Sequence, residues 1–339
     1  MKIAILTQAL LDNYGGLLQN YALQQCLKKI GHSPYTVDFC QMTNTYRNIP
    51  RVLGSWGKTI FLRIFMRQKR KFARFYQPKK RMLFSEQFVL KYIDVTDKVT
   101  CYSPIFFKQN LFDAIIVGSD QVWRPKYNVN IEDMFLGFAQ ELSLKRVSYA
   151  ASFGVDEWEY SKKQTEKCSS LVKKFDAISV REKTGVDLCR DYLCVDSQWV
   201  LDPTLLLDKS DYLNLCKDVQ VCSEKYLAAY VLGMNEEIEI NCKKIAKEKG
   251  LILKVFSADS NASLTIPEWL AMFRDASYVV TDSFHGTVFS IIFGKEFKCI
   301  YNETRGAARF ESLLNLYNSG KIEEMRQFSL DWLKRALES

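Results

Sequence analysis

The chain has 339 residues, which is enough for two domains that each bury a core of their own. Hydrophobic residues make up 47% of the chain and charged residues 25%, the balance of a globular protein in water. No run of residues is long and apolar enough to cross a bilayer, and the apolar start at residues 1–6 is not followed by a small-residue cleavage site. A membrane-spanning or secreted protein is therefore not expected, and a cytoplasmic location is.

The cysteines and histidines favour neither disulfides nor metal. The ten cysteines are scattered and form no C-x-x-C pair, which is typical of free thiols in a reducing compartment. The two histidines, His32 and His285, have no ligand-spaced partner. We therefore expect no metal site.

The net charge of +8 comes from one segment. Arg51 to Arg81 holds eleven basic residues and no acidic one, whereas the rest of the chain holds 36 basic and 39 acidic residues. Trp56, Ile60 and Ile64 recur at helical spacing, so we predict a basic helical insertion at about residues 50–85. The insertion either packs on the first lobe or docks on an anionic membrane surface. Nucleic-acid binding is not expected because the remainder is net acidic.

The first half of the chain alternates strands and helices. A strand at 2–8, a glycine-containing loop, a helix at 17–30 and a strand at 33–39 form the βαβ unit of a parallel sheet. The same alternation predicts strands at 112–117, 146–150 and 177–180, and helices at 159–174 and 182–191.

A second series follows Asp202-Pro203. It predicts strands at 226–232, 251–256, 278–281 and 297–301, and helices at 236–249, 267–275 and 286–293. The predicted fold class is therefore α/β, with two Rossmann-like lobes, 1–205 and 206–339, facing a central cleft. Ligands of such sheets bind at the carboxyl ends of the strands, so loops at those ends are the candidate sites.

The loop after the strand at 278–281 runs Thr281-Asp282-Ser283-Phe284-His285-Gly286-Thr287. A helix begins there, and its first N–H groups, with the Ser283 and Thr287 hydroxyls, favour an anion that Gly286 would let approach. His285 is a candidate proton donor or phosphate contact. The alternative is an ordinary capped helix with a structural histidine.

Other loops fall at the edge of the first sheet. Gly118-Ser119-Asp120-Gln121-Val122-Trp123 offers polar groups for sugar hydroxyls and an indole face for a pyranose ring, although such a turn often only caps a helix. Arg181 is placed to bind a carboxylate or phosphate with both arms of its fork, or else to pair with Glu182. The loop Asn13-Tyr14-Gly15-Gly16 lacks the dinucleotide-binding pattern.

Taken together, these motifs resemble the polysaccharide pyruvyl transferase family. The matching stretches are residues 13–15 with 19–23, 118–123, 148–154, 179–182, 200–204 and 281–287, in family order. The resemblance implies a glycosyltransferase-B-like fold without a cofactor or metal. It also implies that phosphoenolpyruvate donates pyruvate, which forms a ketal on a sugar of a bacterial surface polysaccharide or of its lipid-linked precursor.

The chemistry of these motifs, combined with the resemblance, gives their residues expected roles. His285, Asp120 and Arg181 are expected to be catalytic. Donor binding is expected from Ser283, Gly286, Thr287, Arg305, Arg309, Asn13 and Gly15. Acceptor binding is expected from Ser119, Gln121, Trp123, Ser152 and Phe153.

One position departs from the family pattern. Members characteristically carry arginine two residues before the motif histidine, where this chain has Ser283. We infer that Arg305 or Arg309, after the last strand, supplies the missing charge. Two other functions stay open: a nucleotide-sugar glycosyltransferase of the same fold, and a non-catalytic sugar-binding relative.

Overall fold

The computed structural model describes residues 1–11, 13–39, 80–128, 130–256, 264–300 and 307–338. The predicted basic helical insertion at about residues 50–85 lies outside these residues except for 80–85, and Arg305 also lies outside them. None of the described helices is long and apolar enough to span a membrane.

The first sheet has six parallel strands in the order β2-β1-β3-β4-β5-β6. They are β1 (Lys2–Leu6), β2 (Ser33–Thr36), β3 (Ala114–Val117), β4 (Lys145–Ala151), β5 (Ala177–Val180) and β6 (Gln198–Trp199). All four residues of β3 are buried, because helices cover both faces of a parallel sheet and leave no position for a polar side chain.

The helices of this lobe are α1 (Tyr14–Lys29), α2 (Lys80–Tyr92), α3 (Pro104–Gln109), α4 (Lys162–Val172) and α5 (Lys183–Leu188). Helix α1 ends where Gly31 takes φ of +86°, a left-handed conformation that glycine adopts without strain. The predictions found α1, α4 and α5 but not α2 and α3.

The second sheet has four parallel strands in the order β10-β9-β7-β8. They are β7 (Tyr226–Tyr230), β8 (Ile252–Phe256), β9 (Tyr278–Thr281) and β10 (Glu296–Cys299). Its helices are α6 (Lys209–Leu215), α7 (Glu236–Glu248), α8 (Ile266–Arg274), α9 (Phe284–Ile292), α10 (Ala307–Asn318) and α11 (Ile322–Glu338). Two parallel α/β sheets are what the sequence predicts, and the fold class is confirmed.

Side chains from both sheets share one apolar core. Helix α1 reaches the second lobe through Tyr14, whose hydroxyl donates to the carbonyl of Leu264 at 2.7 Å and whose ring meets Trp269 edge-on at 6.3 Å. In the other direction α11 returns to the first sheet, where Lys145 Nζ on β4 donates to the carbonyl of Leu337 at 3.1 Å. The division at 205/206 stays a prediction, and the final helix packs on the first lobe.

Candidate active site between the two sheets

Arg181 is the centre of a buried charged cluster. It follows β5 at the carboxyl edge of the first sheet, and its side chain is only 2% exposed. Nη1 donates to Asp202 Oδ2 at 2.9 Å, while Asp120 and Glu182 lie farther away, each at 3.9 Å. Nε and Nη2 have no hydrogen-bond partner among the described residues. One arm of the guanidinium is therefore held by protein, and the other is available to an anion.

Asp202, which follows β6, holds Arg181 in place. Its Oδ1 accepts from the backbone N–H and the hydroxyl of Thr204, at 3.0 and 2.6 Å, and its Oδ2 also accepts from Gln19. Burial raises the pKa of this carboxyl, but His285, Arg181 and the Thr204 hydrogen bonds outweigh burial and leave the pKa below its ordinary value. Asp202 is thus an ionised anchor that the residue predictions missed, although its motif was recognised.

His285 enters the cluster from the other lobe, in the first turn of α9. Its Nε2 is 3.9 Å from Asp202 Oδ2, and its side chain is 13% exposed. The ring lies against Gly15, where a Cβ atom would come within 2.1 Å of Nδ1. Burial lowers the pKa of His285, Arg181 and Arg309 lower it further, and the carboxylates of Asp202 and Asp120 only partly offset this. The imidazole is therefore neutral at pH 7 in the unliganded protein.

Asp120 and Asn13 form the edge of the cluster nearest β1 and β3. Asn13 Nδ2 donates to Asp120 Oδ2 at 3.1 Å, and the backbone N–H of Gln121 donates to Asp120 Oδ1 at 2.8 Å. These two hydrogen bonds fix the carboxylate beside Arg181. The structure thus brings the missed Asp202 together with predicted residues that follow β1, β3 and β5 or lie at the start of α9: Asn13, Gly15, Asp120, Arg181 and His285.

Arg309 reaches the same cluster from α10. Both guanidinium groups lie near the ring of Phe284, whose centre is 5.0 Å from Arg181 Cζ and 5.9 Å from Arg309 Cζ. Burial and the nearby Arg181 lower the pKa of Arg309. A second guanidinium therefore lies beside the motif in which Ser283 stands in the usual arginine position.

Polar groups in the turn before α9 form hydrogen bonds with one another. Ser283 Oγ caps the helix by accepting from the Gly286 N–H at 3.4 Å, and the Thr287 hydroxyl donates to the Ser283 carbonyl at 3.2 Å. At Gly286 a Cβ would lie 2.2 Å from Thr281 Oγ1, so the glycine admits a close helix-to-strand contact and not a ligand. The Ser283 and Thr287 hydroxyls are therefore engaged within the turn, and their role in donor binding stays a prediction.

The predicted acceptor residues are largely inside the core. Trp123 is fully buried, stacks on Phe135 with centroids 4.9 Å apart, and donates its Nε1–H to Met134. Phe153 packs against it, and the Ser152 hydroxyl donates to Glu182 at 2.9 Å. The prediction that these side chains contact the acceptor is wrong, because they are packed inside the protein and do not face the cleft.

Gln121 and Ser119 are the remaining two predicted acceptor residues. Gln121 is half-buried and its Oε1 accepts from Arg124 at 3.2 Å. The Ser119 hydroxyl is buried next to Asp120 and has no hydrogen-bond partner among the described residues. Its role as a sugar contact stays a prediction.

Replacing Gly15 with alanine is expected to push the His285 ring out of the cluster. The new Cβ would overlap Nδ1, so the imidazole moves towards water and its pKa rises back towards the ordinary value. A pH titration of the imidazole NMR signals measures this, because His32 is the only other histidine. The control is Gly16→Ala, whose Cβ would lie 3.1 Å from Asn13 Nδ2 and 3.2 Å from Asp120 Oδ2, so that these side chains need shift only by a few tenths of an ångström and the His285 ring is not overlapped. An unchanged titration of His285 in Gly15→Ala would show that the ring is not held there.

Solved structures support the fold. The UDP-GlcNAc 2-epimerase of Neisseria meningitidis, solved with UDP-GlcNAc, is 9% identical, with 99% of each chain covered and a TM-score of 0.50. The UDP-GlcNAc 2-epimerase of Methanocaldococcus jannaschii is 12% identical, with 93% of each chain covered and a TM-score of 0.46. At such identity the first likeness shows the two-lobed, glycosyltransferase-B-like fold alone.

The family assignment comes from sequence. No curated protein sequence matches the chain. A sequence model of the polysaccharide pyruvyl transferase family, however, matches residues 13–304, which is most of the chain. The matched range contains Asn13, Asp120, Arg181, Asp202 and His285, the core of the buried charged cluster. The chain belongs to the polysaccharide pyruvyl transferase family.

Proposed function

We propose that the protein transfers pyruvate from phosphoenolpyruvate to two hydroxyls of one sugar and forms a pyruvate ketal. The observation that carries this proposal is the half-satisfied guanidinium of Arg181. A buried arginine with two nitrogen atoms that have no hydrogen-bond partner among the described residues, next to a neutral histidine, suits a small anion that carries both a carboxylate and a phosphate. Membership of the polysaccharide pyruvyl transferase family supports phosphoenolpyruvate as that anion.

The donor is bound by the two arginines. The free edge of Arg181 takes one anionic group of phosphoenolpyruvate through a forked pair of hydrogen bonds, and Asp202 keeps the fork oriented. Arg309, whose Cζ lies 5.9 Å from the centre of the Phe284 ring, contributes the second positive charge. The added negative charge of the donor raises the pKa of His285, so the imidazole gains a proton when the donor binds.

The reaction then needs proton transfer at two stages. C3 of the enol gains a proton, the first sugar hydroxyl adds to C2 and loses its own proton, and a C–O bond forms. The C2–O bond to phosphate breaks, inorganic phosphate leaves, and the second hydroxyl adds to C2. The two sugar hydroxyls together lose two protons. One of these equals the proton that C3 gains, and the other leaves with inorganic phosphate.

The cluster supplies groups for these transfers. Protonated His285 is the acid that assists phosphate departure, and Arg181 stabilises the charge that develops on the leaving group. Asp120, held by Asn13 and the Gln121 backbone, is the base that accepts a hydroxyl proton from the sugar. These residues come from both lobes, so the site is complete only when the lobes face one another.

Product analysis tests the proposal. The purified protein is incubated with phosphoenolpyruvate and a panel of methyl pyranosides and oligosaccharides, and phosphate release and the ketal carbon are followed by NMR. Parallel reactions contain uridine-diphosphate sugars instead. Phosphate release coupled to a ketal supports the proposal. Nucleotide release with sugar transfer and no use of phosphoenolpyruvate would establish a glycosyltransferase, and inactivity with both donors would indicate a sugar-binding relative.

Arg181→Lys is expected to weaken donor binding about tenfold or more. Lysine keeps the charge but cannot present a fork, and a hydrogen bond to a charged group contributes about 1.5–3 kcal/mol. The apparent constant for phosphoenolpyruvate, from initial rates or thermal shift, gives the measurement. Arg146→Lys is the control, because its guanidinium donates to the carbonyls of Ala139 and Leu142 away from the cluster. Equal donor constants for the two variants would remove Arg181 from donor binding.

A further inference from the structure

We propose that the acceptor sugar binds in an open groove between α5 and α10, against the indole of Trp199. This inference rests on the proposed function, because it assigns the acceptor of that reaction a place. The groove has a volume of about 360 Å³, within the range of about 300–1,000 Å³ usual for ligand clefts. It is formed by one helix from each lobe, as a site at the lobe interface requires.

The groove opens beside the donor cluster. A small cavity of about 10 Å³ is lined by Arg181, Asp202, Phe284 and Arg309, the residues around the expected donor position. Trp199, Ser312 and Leu316 line both this cavity and the groove. A sugar ring in the groove would therefore lie next to the donor position, with Trp199, Ser312 and Leu316 where the two spaces meet.

The chemistry of the groove suits a pyranose. Trp199 is half-buried, and its Nε1–H donates to the carbonyl of Arg181 at 3.0 Å, which fixes the indole while the rest of the ring lines the groove. Leu316 adds a buried apolar surface, and the exposed side chains of Lys183, Glu311 and Asn315 lie around it. A flat apolar wall with a few polar groups matches a sugar ring, whose C–H face is apolar and whose rim carries hydroxyls.

A buried polar atom marks the groove independently. Thr184 lines it, and its hydroxyl is buried and has no hydrogen-bond partner among the described residues. Such a group loses free energy unless a partner arrives, and a sugar hydroxyl is a suitable partner. The groove is also open along one side, as it must be if the sugar is one residue of a longer chain or of a lipid-linked precursor.

Matched tryptophan substitutions on α10 test the inference. Asn315 and Asn318 are both exposed on this helix, but only Asn315 lines the groove. Asn315→Trp should fill the groove and raise the apparent constant for the acceptor at least tenfold, with the donor constant unchanged. Asn318→Trp should leave both constants unchanged. Binding of a panel of methyl pyranosides is measured separately by saturation-transfer NMR, in the absence of phosphoenolpyruvate.

The outcomes separate this inference from the proposed function. Pyranoside binding that Asn315→Trp abolishes and Asn318→Trp retains supports the groove, even if no ketal forms and the proposed function fails. Ketal formation with equal acceptor constants in both variants overturns the groove and leaves the proposed function standing. Failure of every pyranoside in the panel to bind the native protein also overturns the groove.

Discussion

His285→Asn is expected to lower the turnover of ketal formation by about 10²–10⁴-fold, the usual contribution of a general acid. The residue lies in the first turn of α9, and its Nε2 is 3.9 Å from Asp202 and has no hydrogen-bond partner among the described residues. Asparagine is smaller, donates a hydrogen bond and cannot carry a proton between reactants. Initial rates with saturating donor and acceptor give the measurement.

The other histidine provides the control. His32 lies at the start of the first lobe, with its Nδ1 3.3 Å from the terminal amine, so His32→Asn should leave turnover unchanged. Proton uptake on donor binding is a second readout, followed by calorimetry in buffers of different ionisation enthalpy at about pH 8, where the donor phosphate is already ionised. The native protein should take up a proton that the His285→Asn protein does not. Near-normal turnover of His285→Asn would make this histidine structural.

Asp202→Asn is expected to destabilise the protein by about 3–5 kcal/mol, because it leaves the buried guanidinium of Arg181 without its ionised partner. The two side chains are 0% and 2% exposed, so water cannot replace the lost carboxylate. Asp120 and Glu182, each 3.9 Å away, compensate only in part. Urea unfolding followed by circular dichroism gives the change in the free energy of unfolding.

An exposed ion pair is the matched control. Asp94 pairs with Lys28 at 2.6 Å, but the two side chains are 51% and 39% exposed, so Asp94→Asn should change stability by no more than about 1 kcal/mol. Replacing the buried pair with Arg181→Met and Asp202→Leu should recover only part of the lost stability, because Asp120 and Glu182 then lose the guanidinium that lies 3.9 Å from each, and it should not recover donor binding. Equal decreases in the free energy of unfolding for Asp202→Asn and Asp94→Asn would show that the buried ion pair contributes no more to stability than the exposed one.

The sequence alone predicted the parts of the fold that depend on the pattern of neighbouring residues. Buried parallel strands such as Ala114–Val117 are continuous apolar runs, and the loops that follow them fall at the sheet edge by topology alone. That rule placed Asp120, Arg181 and His285 correctly at facing edges. The same rule applied to Val200–Thr204 would have found Asp202, because Asp202 also follows a strand of the first sheet.

What the sequence could not reveal is which side of each loop faces the cleft. Trp123 and Trp199 both stand near polar residues at the sheet edge, yet Trp123 is fully buried and Trp199 is half-buried beside a groove. The difference arises from Phe135 and Tyr160, distant in sequence, whose rings and hydroxyl enclose the Trp123 region. Gly286 is a similar case, because only the packed structure shows that Thr281 fills the space a ligand would need.

The return of α11 to the first sheet sets an order of events during synthesis. Domains generally fold as units as they leave the ribosome, the N-terminal one first. Here the Ser329 hydroxyl accepts from the backbone N–H of Leu201, and the ring of Trp332 meets that of Tyr149 on β4 at 6.1 Å. These partners are made more than a hundred residues after β4. Among the described residues, Leu201 and Tyr149 of the first lobe therefore lack these partners until the second sheet has been translated and α11 follows it.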